Sequence, residues 1–473
     1  MAQTQDVQND ADVVDELFAR ARVAQIAFEG AGSQQTYDRA VQGAAWAVME
    51  PARNAELSQL AVDSTGLGNV ADKMTKNHRK TLGLLRDLRE AKSYGEIGFS
   101  QVSGITEIAR PMGVIGAVVP STNPIATPLN NIINALKCGN AIVVAPSPKG
   151  IPGCSKLLEY VHAEFDKANL PRDLVQMLPG AASKSKTQRL MELADLVVVT
   201  GSQDNVRRAY ESGTPAIGVG AGNVCVIVDE SANLSDAAQK IAQSKTFDNA
   251  TSCSSENALI AVDSIYDQLV AELDAAGGRL ITGSQAQRLK ETMFVNGQIQ
   301  RDVIAQDLNR VVASAGIEVE RPDSARFLVI EGSGIGVDHP ESGEKLSLVL
   351  TLFRVNDFNA AKNTARDLLN FQGAGHSIGL HSTNDSRALE MGAELPVCRV
   401  IVNQAHTFAT GGSFSNGLPF SLTMGCGSWG GNSIDDNLNY KHFMNVTKVV
   451  RETPINEPTV EEMLGDYWEI AGR

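Results

Sequence analysis

Between Gly113 and Asp229 the chain repeats one unit: a short apolar run that does not alternate, a turn rich in small residues, then a stretch with helical spacing. The apolar runs are "GVIGAVVP" (Gly113 to Pro120), "AIVVAP" (Ala141 to Pro146), "LVQMLP", "DLVVVTGS" and "PAIGVGAGNVCVIVD". Helical spacing covers Pro128 to Lys137, roughly Gly153 to Ala168, and Lys184 to Ala194. Strands apolar on both faces must be covered on both faces. Alternation with helices therefore implies a parallel sheet between helical layers. Ligands of such sheets bind beyond the carboxyl ends of the strands. Those ends read "PSTNP", "APSPK" and "TGSQD".

Around this unit the pattern changes three times. The first ninety or so residues carry apolar residues at helical spacing, as in "VVDELFARARVAQIAFEG". Near Tyr94, "GEIGFSQVSGITEIARPMG" has turn residues and short alternating segments that predict extended ribbons. From Asn233 the alternation restarts with the helix "LSDAAQKIAQSKTFDN", the strand "ALIAV", the helix "SIYDQLVAELDAAG", and the later strands "ARFLVIE" and "LSLVLTLFRV". This divides the chain into residues 1–232, a cofactor-type domain with a ribbon at about 95–110; residues 233–433, a second α/β domain; and residues 434–473, a strand-like "FMNVTKVV" with a polar, acidic tail.

With 473 residues there is room for a large core. A net charge of −14, with no standout run of lysine and arginine, argues against nucleic acid and anionic membranes as partners. The polar, acidic N-terminus lacks a signal-peptide pattern, and no apolar run is long enough to span a bilayer, so a cytoplasmic location is expected. The six cysteines form no CxxC pair and no zinc spacing. They are expected to be reduced, and no metal site is expected.

One of these cysteines stands apart. In "FDNATSCSSENALIAV", Cys253 sits among Thr251, Ser252, Ser254 and Ser255 at a helix-to-strand turn. Small polar neighbours suit an accessible nucleophile better than a sealed core. Asn123, in "VVPSTNPIATP" at the end of a buried strand, can aim an amide donor at a developing oxyanion, although Asn-Pro is also a common turn. "APSPKG" holds no acidic residue to bind a ribose 2′-hydroxyl and offers Ser147 and Lys149, which would accept a 2′-phosphate. His376 in "GAGHSIGLHS" is a candidate general base or proton shuttle, with His381 and His406 as rivals. Glu344 in "GEKLSLVLTLF" precedes a buried strand and is a candidate partner for ribose hydroxyls. "GVGAGN" (Gly218 to Asn223) lets backbone approach a ligand. "GCGSWG" (Gly425 to Gly430) matches GxGxxG in form but lacks the strand before it and the helix after it.

Taken in order, "PSTNP", "AIVVAPSPK", "VVVTGS", "GVGAGN", "FDNATSCSSE", "EKLS", "GAGHS", "GGSFSNG" and "GCGSWGGNS" resemble the aldehyde dehydrogenase superfamily, and more closely its CoA-acylating branch. The resemblance implies an aldehyde dehydrogenase-like α/β fold. Its parts would be a Rossmann-like cofactor domain, an α/β catalytic domain and a small ribbon used, with the C-terminal strand, for homo-oligomerisation as a dimer or tetramer. It implies that Cys253 is the nucleophile and that Asn123 forms the oxyanion hole with the Cys253 backbone N–H. It places Ser121, Thr122, Ser147, Lys149, Thr200, Gly201, Ser202, Gly220 and Glu344 around the dinucleotide. NADP is the expected cofactor, NAD the alternative, and CoA the co-substrate, with His376 as the acceptor for the CoA thiol proton.

Hydrolytic members of the superfamily carry a glutamate base where this chain has Gly218 or Val219. Without it, water is poorly activated, and the CoA thiol is expected to take the acyl group instead. The expected substrate is a small anionic aldehyde, with Thr251, Ser252 and Ser254 offered to its anionic end. Sulfoacetaldehyde is preferred, with succinate semialdehyde or acetaldehyde as alternatives. A hydrolytic, CoA-independent enzyme and a non-catalytic scaffold are the other readings.

Overall fold

The computed structural model describes residues 2–473. Four helices come first: α1 (Ala2–Gly30), α2 (Gln34–Met49), α3 (Pro51–Thr65) and α4 (Val70–Leu88). The helical pattern from Tyr37 to Gly66 divides at Pro51, which cannot donate to a preceding turn. Glu50 turns to extended backbone there, and its carboxylate accepts the N–H groups of Ala52 and Arg53 at 3.2 and 2.8 Å.

The ribbon follows as β1 (Gly95–Ser100) and β2 (Ile105–Pro111), paired antiparallel. Then come β3 (Val114–Val119), α5 (Ala126–Lys137), β4 (Ala141–Pro146), β5 (Val175–Met177), β6 (Leu196–Val199) and β7 (Ala216–Gly218). These five strands form one parallel sheet in the order β5-β4-β3-β6-β7. The strand order reverses beside β3, so the loops after β3 and β6 border a crevice. β3 and β4 are buried along their whole length, as their unbroken apolar runs require.

A second parallel sheet is built from β8 (Val224–Val228), β9 (Glu256–Val262), β10 (Gly278–Ile281), β13 (Phe327–Glu331), β14 (Val349–Val355), β15 (Ile378–His381) and β16 (Val400–Val402). A small hairpin, β11 (Phe294–Val295) with β12 (Gln298–Ile299), lies outside it. The order is β10-β13-β14-β9-β8-β15-β16. β8 pairs with β9 and β15, so the chain enters the second sheet at Val224, before the expected division at 232/233. The five residues "VGAGN" between β7 and β8 carry it from one sheet to the other.

β17 (Met444–Val450) joins β2 antiparallel and completes the sheet β1-β2-β17. The tail then forms a helix, Val460–Ala471, started by a capping box between Thr459 and Glu462, where only a polar, acidic end was expected. Among the described residues no helix is long and apolar enough to cross a membrane, and no cluster of side chains could hold a metal ion.

Candidate active site

Loops from both sheets enclose a cavity of about 300 Å³. Its walls include Asn123 after β3, Thr200 to Ser202 after β6, the linker Val219 to Gly222, Cys253 before β9, and Glu344 before β14. Gly222 is required by proximity: a Cβ there would lie 2.5 Å from the Cys253 carbonyl oxygen and 2.9 Å from the Cys253 Cβ. Gly218 is equally closed to a side chain, since a Cβ would meet Val206 Cγ1 at 2.5 Å. Among the described residues Glu344 is the sole carboxylate lining this cavity.

Cys253 owes its position to an unusual turn. Three consecutive non-glycine residues, Asp248, Asn249 and Ala250, have φ of 50°, 51° and 60°. Each costs on the order of 1–3 kcal/mol unless the surroundings hold it. They do: the Asp248 N–H donates to Asp72 Oδ2 at 2.7 Å, Asn69 N–H donates to Asp248 Oδ1 at 3.0 Å, and Asn249 Nδ2 donates to Asp307 Oδ1 at 2.9 Å. Two buried lysines of α4, Lys73 and Lys76, donate to Asp248 Oδ2 at 3.0 and 2.5 Å. Burial works against the Asp248 charge, and the two ammonium groups outweigh it, holding its carboxyl below the usual range.

Lys76 also donates to Asn123 Oδ1 at 2.8 Å and to Thr251 Oγ1 at 2.9 Å. With its oxygen occupied, Asn123 has only its Nδ2 donors left to offer the cavity. The network thus joins the Cys253 turn to Asn123 through one ammonium group.

His376 Nε2 lies 3.3 Å from Cys253 Sγ, and His376 Nδ1 lies 2.8 Å from Ser377 Oγ. With Nδ1–H donating to Ser377, Nε2 is the acceptor for the thiol S–H; the other tautomer reverses both bonds. His376 is buried and is not part of the cavity wall; it stands behind Cys253. Its rivals go elsewhere. His406 binds the Ser254 carbonyl at 3.0 Å through Nδ1, and His381 lies within β15. Burial, then Arg399, lowers the His376 imidazole to about 3, while burial, then Glu344, pushes the Cys253 thiol up to about 12. The resting pair is neutral thiol and neutral imidazole. Alkylation of Cys253 by iodoacetamide should therefore rise about tenfold per pH unit between pH 6 and 10, because the thiolate is the reactive form. A plateau across that range would reveal a thiolate–imidazolium pair instead.

The three hydroxyls set beside Cys253 differ in availability. Thr251 Oγ1 is engaged, accepting from Lys76 and donating to Asp248 Oδ2 at 2.8 Å. Ser254 Oγ lies 3.6 Å from Met424 Sδ, and Ser252 Oγ accepts the Ser254 N–H at 3.2 Å. All three residues line the cavity.

A second groove, of about 450 Å³, opens at the carboxyl ends of β3, β4 and β6. It is lined by Ser121, Ser147 and Thr200 to Ser202, and joins the cavity through the last three, which line both. Ser147 Oγ is enclosed with no hydrogen-bond partner among the described residues. Ser202 caps the following helix, Gln203–Glu211. Thr122 and Gly220 belong to the cavity; the Gly220 N–H is held by Asn432 Oδ1 at 2.9 Å. Lys149 is exposed, outside the groove wall, with Nζ 3.5 Å from the Thr65 carbonyl. The cations that do line the groove are Lys184 and Arg208. These two, and the α4 residues Lys76, Arg79 and Lys80 in the cavity wall, are absent from the sequence-based set. The signal for α4 was present: "KMTKNHRK" sets Lys73, Lys76 and Lys80 on one helical face.

Two parallel sheets, a groove at the carboxyl ends of the first and a cysteine backed by a histidine where the two meet form the frame of the site. The chain belongs to the aldehyde dehydrogenase family, whose model matches residues 4–315. Its relatives set it in the CoA-acylating branch. It is 55% identical to a sulfoacetaldehyde dehydrogenase (acylating) of Cupriavidus necator, over 99% of this chain and 95% of that one. An acetylating aldehyde dehydrogenase of Geobacillus thermoglucosidasius superposes with a TM-score of 0.91 at 32% identity, covering 96% and 99% of the two chains. A propionaldehyde dehydrogenase of Rhodopseudomonas palustris with bound propionyl-CoA superposes at 0.83 with 26% identity, covering 93% and 94%.

Proposed function

We propose that the protein oxidises sulfoacetaldehyde to sulfoacetyl-CoA, reducing NADP, through a Cys253 thioester. The observation that carries the acylating step is the wall facing Cys253. It is Val219-Gly220-Ala221-Gly222, without the carboxylate a hydrolytic enzyme needs there. The likeness to the Cupriavidus necator enzyme supports the substrate. The groove fits a dinucleotide: Ser147 Oγ is an orphaned donor in it, and Lys184 and Arg208 supply positive charge for a 2′-phosphate. Domain roles follow the two sheets, the first binding cofactor and the second carrying the nucleophile. The ribbon β1-β2-β17 is the surface for a second subunit, and the location is cytoplasmic.

In this mechanism Cys253 Sγ attacks the aldehyde carbon while His376 Nε2 takes the thiol proton. The carbonyl oxygen becomes an oxyanion, met by Asn123 Nδ2 and the Cys253 backbone N–H. When bound, the dinucleotide supplies the hydride acceptor that converts the hemithioacetal into an acyl-cysteine. The CoA thiol then attacks the acyl carbon and releases its proton to solvent. The C–S bond to Cys253 breaks, and His376 returns the proton to the departing thiolate. Burial keeps the imidazole neutral, which leaves Nε2 free to accept but weakens it as a base, so the proton moves together with the attack of sulfur on the carbonyl carbon. Glu344, raised to about 8 by burial, lines the cavity and is the residue this reading assigns to the ribose hydroxyls.

The test is nicotinamide reduction followed by absorbance with purified protein and sulfoacetaldehyde, with and without CoA, using NADP and NAD in turn. Turnover is expected only with CoA. Equal reduction without CoA would mean that water resolves the thioester, and Glu344→Gln would then identify the carboxylate responsible.

A further inference from the structure

The cavity has a cationic end that its own walls do not neutralise. α4 turns Lys73, Lys76 and Lys80 inward, all buried, with Arg79 beside them, and Lys76, Arg79 and Lys80 line the cavity. Gly83 allows this close packing, since a Cβ there would lie 2.3 Å from the Phe420 ring. The nearby carboxylate, Asp248, is taken up by Lys73 and Lys76. Among the described residues no carboxylate pairs with Lys80 or Arg79. Lys80 Nζ reaches only carbonyls, those of Gly411 at 2.5 Å and Ser421 at 3.0 Å. Arg79 Nη2 reaches the Phe408 carbonyl at 2.5 Å and lies 3.4 and 3.5 Å from the Gly412 carbonyl and Ser413 Oγ, and among the described residues its Nε and Nη1 have no protein acceptor. The rings of Phe408 and Phe420 lie 5.1 and 5.5 Å from the Arg79 guanidinium, and Phe420 lies 5.7 Å from Lys80 Nζ.

An enclosed cation without a counter-ion is costly, and proteins normally pair it or discharge it. Burial, with Arg79 and Lys76 adding repulsion, lowers the Lys80 ammonium to about 7. An anion in the cavity would reverse that. The three hydroxyls near Cys253 are weaker candidates, because the Thr251 hydroxyl is already bonded on both sides.

We propose that Arg79 and Lys80 receive the anionic end group of the aldehyde and so set the enzyme's preference for a compact anionic substrate. The proposal rests on the reading of Cys253 as the nucleophile of a small anionic aldehyde. Arg79 contributes free N–H donors, and Lys80 contributes a localised charge held in place by two carbonyls. The aldehyde carbon is then left at the Cys253 end of the same cavity.

The experiment uses protection as well as turnover. Ethanesulfonate, the saturated stand-in for the substrate's sulfonate end, is titrated against iodoacetamide labelling of Cys253, with propionate and 1-propanol as comparators. Wild-type protein should be protected by ethanesulfonate, less by propionate, and not by propanol. In Arg79→Gln and Lys80→Met the protecting concentration should rise at least tenfold. In turnover, the ratio of kcat/KM for sulfoacetaldehyde to that for propionaldehyde should fall at least thirtyfold in each variant, carried by KM, and Arg79→Lys should recover part of it. Arg79 is only partly buried, so its variants keep the test open should Lys80→Met fold poorly. Unchanged protection in the folded variants, a constant substrate ratio, or equal protection by propanol would overturn the proposal and leave these cations as loop anchors. Protection does not involve CoA, so a failure of the acylating step is distinguishable from a failure of the anion receptor.

Discussion

Replacing Cys253 by alanine is expected to lower kcat by about 10⁴–10⁶-fold, the loss seen when a covalent nucleophile is removed. Binding of the dinucleotide should survive, because its groove is lined from β3, β4 and β6 and not from the Cys253 turn. The check pairs steady-state turnover with a fluorescence titration of the reduced cofactor. Loss of both together would point to collapse of the strained Asp248–Ala250 turn and away from loss of a nucleophile. Serine at this position is a sharper probe. A hydroxyl preserves the volume and the contact with His376, yet a neutral imidazole with a strongly lowered pKa cannot ionise it. Cys253→Ser should be nearly as inactive as Cys253→Ala, and intact turnover in it would remove the thioester from the mechanism.

The second large effect concerns the oxyanion. Asn123→Ala should lower kcat by about 10²–10³-fold with little change in KM, since its Nδ2 donors matter only once charge develops on the oxygen. Lys76→Met acts on the same donor indirectly, by releasing Asn123 Oδ1. It also leaves Asp248 with Lys73 alone, and breaking such a buried pair typically costs about 3–5 kcal/mol of stability. The double variant should be no slower than Asn123→Ala. Additive losses in kcat would mean that Lys76 acts on more than Asn123, through the Asp248 turn that sets Cys253 or on the reacting atoms themselves.

The parallel sheets were legible because a strand covered on both faces has to be apolar throughout, and β3, β4 and β8 are. Cys253 stood out because its neighbours are too polar for an ordinary core. Asn123 could be set at a strand end but not aimed, since Lys76, 47 residues away in sequence, does the aiming. The cationic face of α4 was passed over for a physical reason. Lysine ordinarily marks the solvated side of a helix, and only the tertiary packing against Phe420 and the Cys253 turn shows this one facing inward. Lys149 was expected in the cofactor groove from its place after β4, but the direction of a proline-stiffened loop is set by what it packs on. Here that sends its ammonium toward α3. The division between the two sheets was set late because "NVCVIVD" follows "PAIG" without a break, and pairing partners alone separate β7 from β8.

The three-stranded ribbon has a consequence for how the chain is made. β2 occupies the middle of that sheet, and its second partner, β17, pairs Met444 with Pro111. More than three hundred residues separate them. At the roughly 5–20 residues per second of protein synthesis, β2 would wait on the order of 15–70 s with one edge open. During that interval the nascent chain exposes a pairing edge that neighbouring nascent chains on one polysome also expose. A chain truncated before Met444 would keep that edge permanently, and aggregation of such a fragment would begin at β2 even if both parallel sheets had formed.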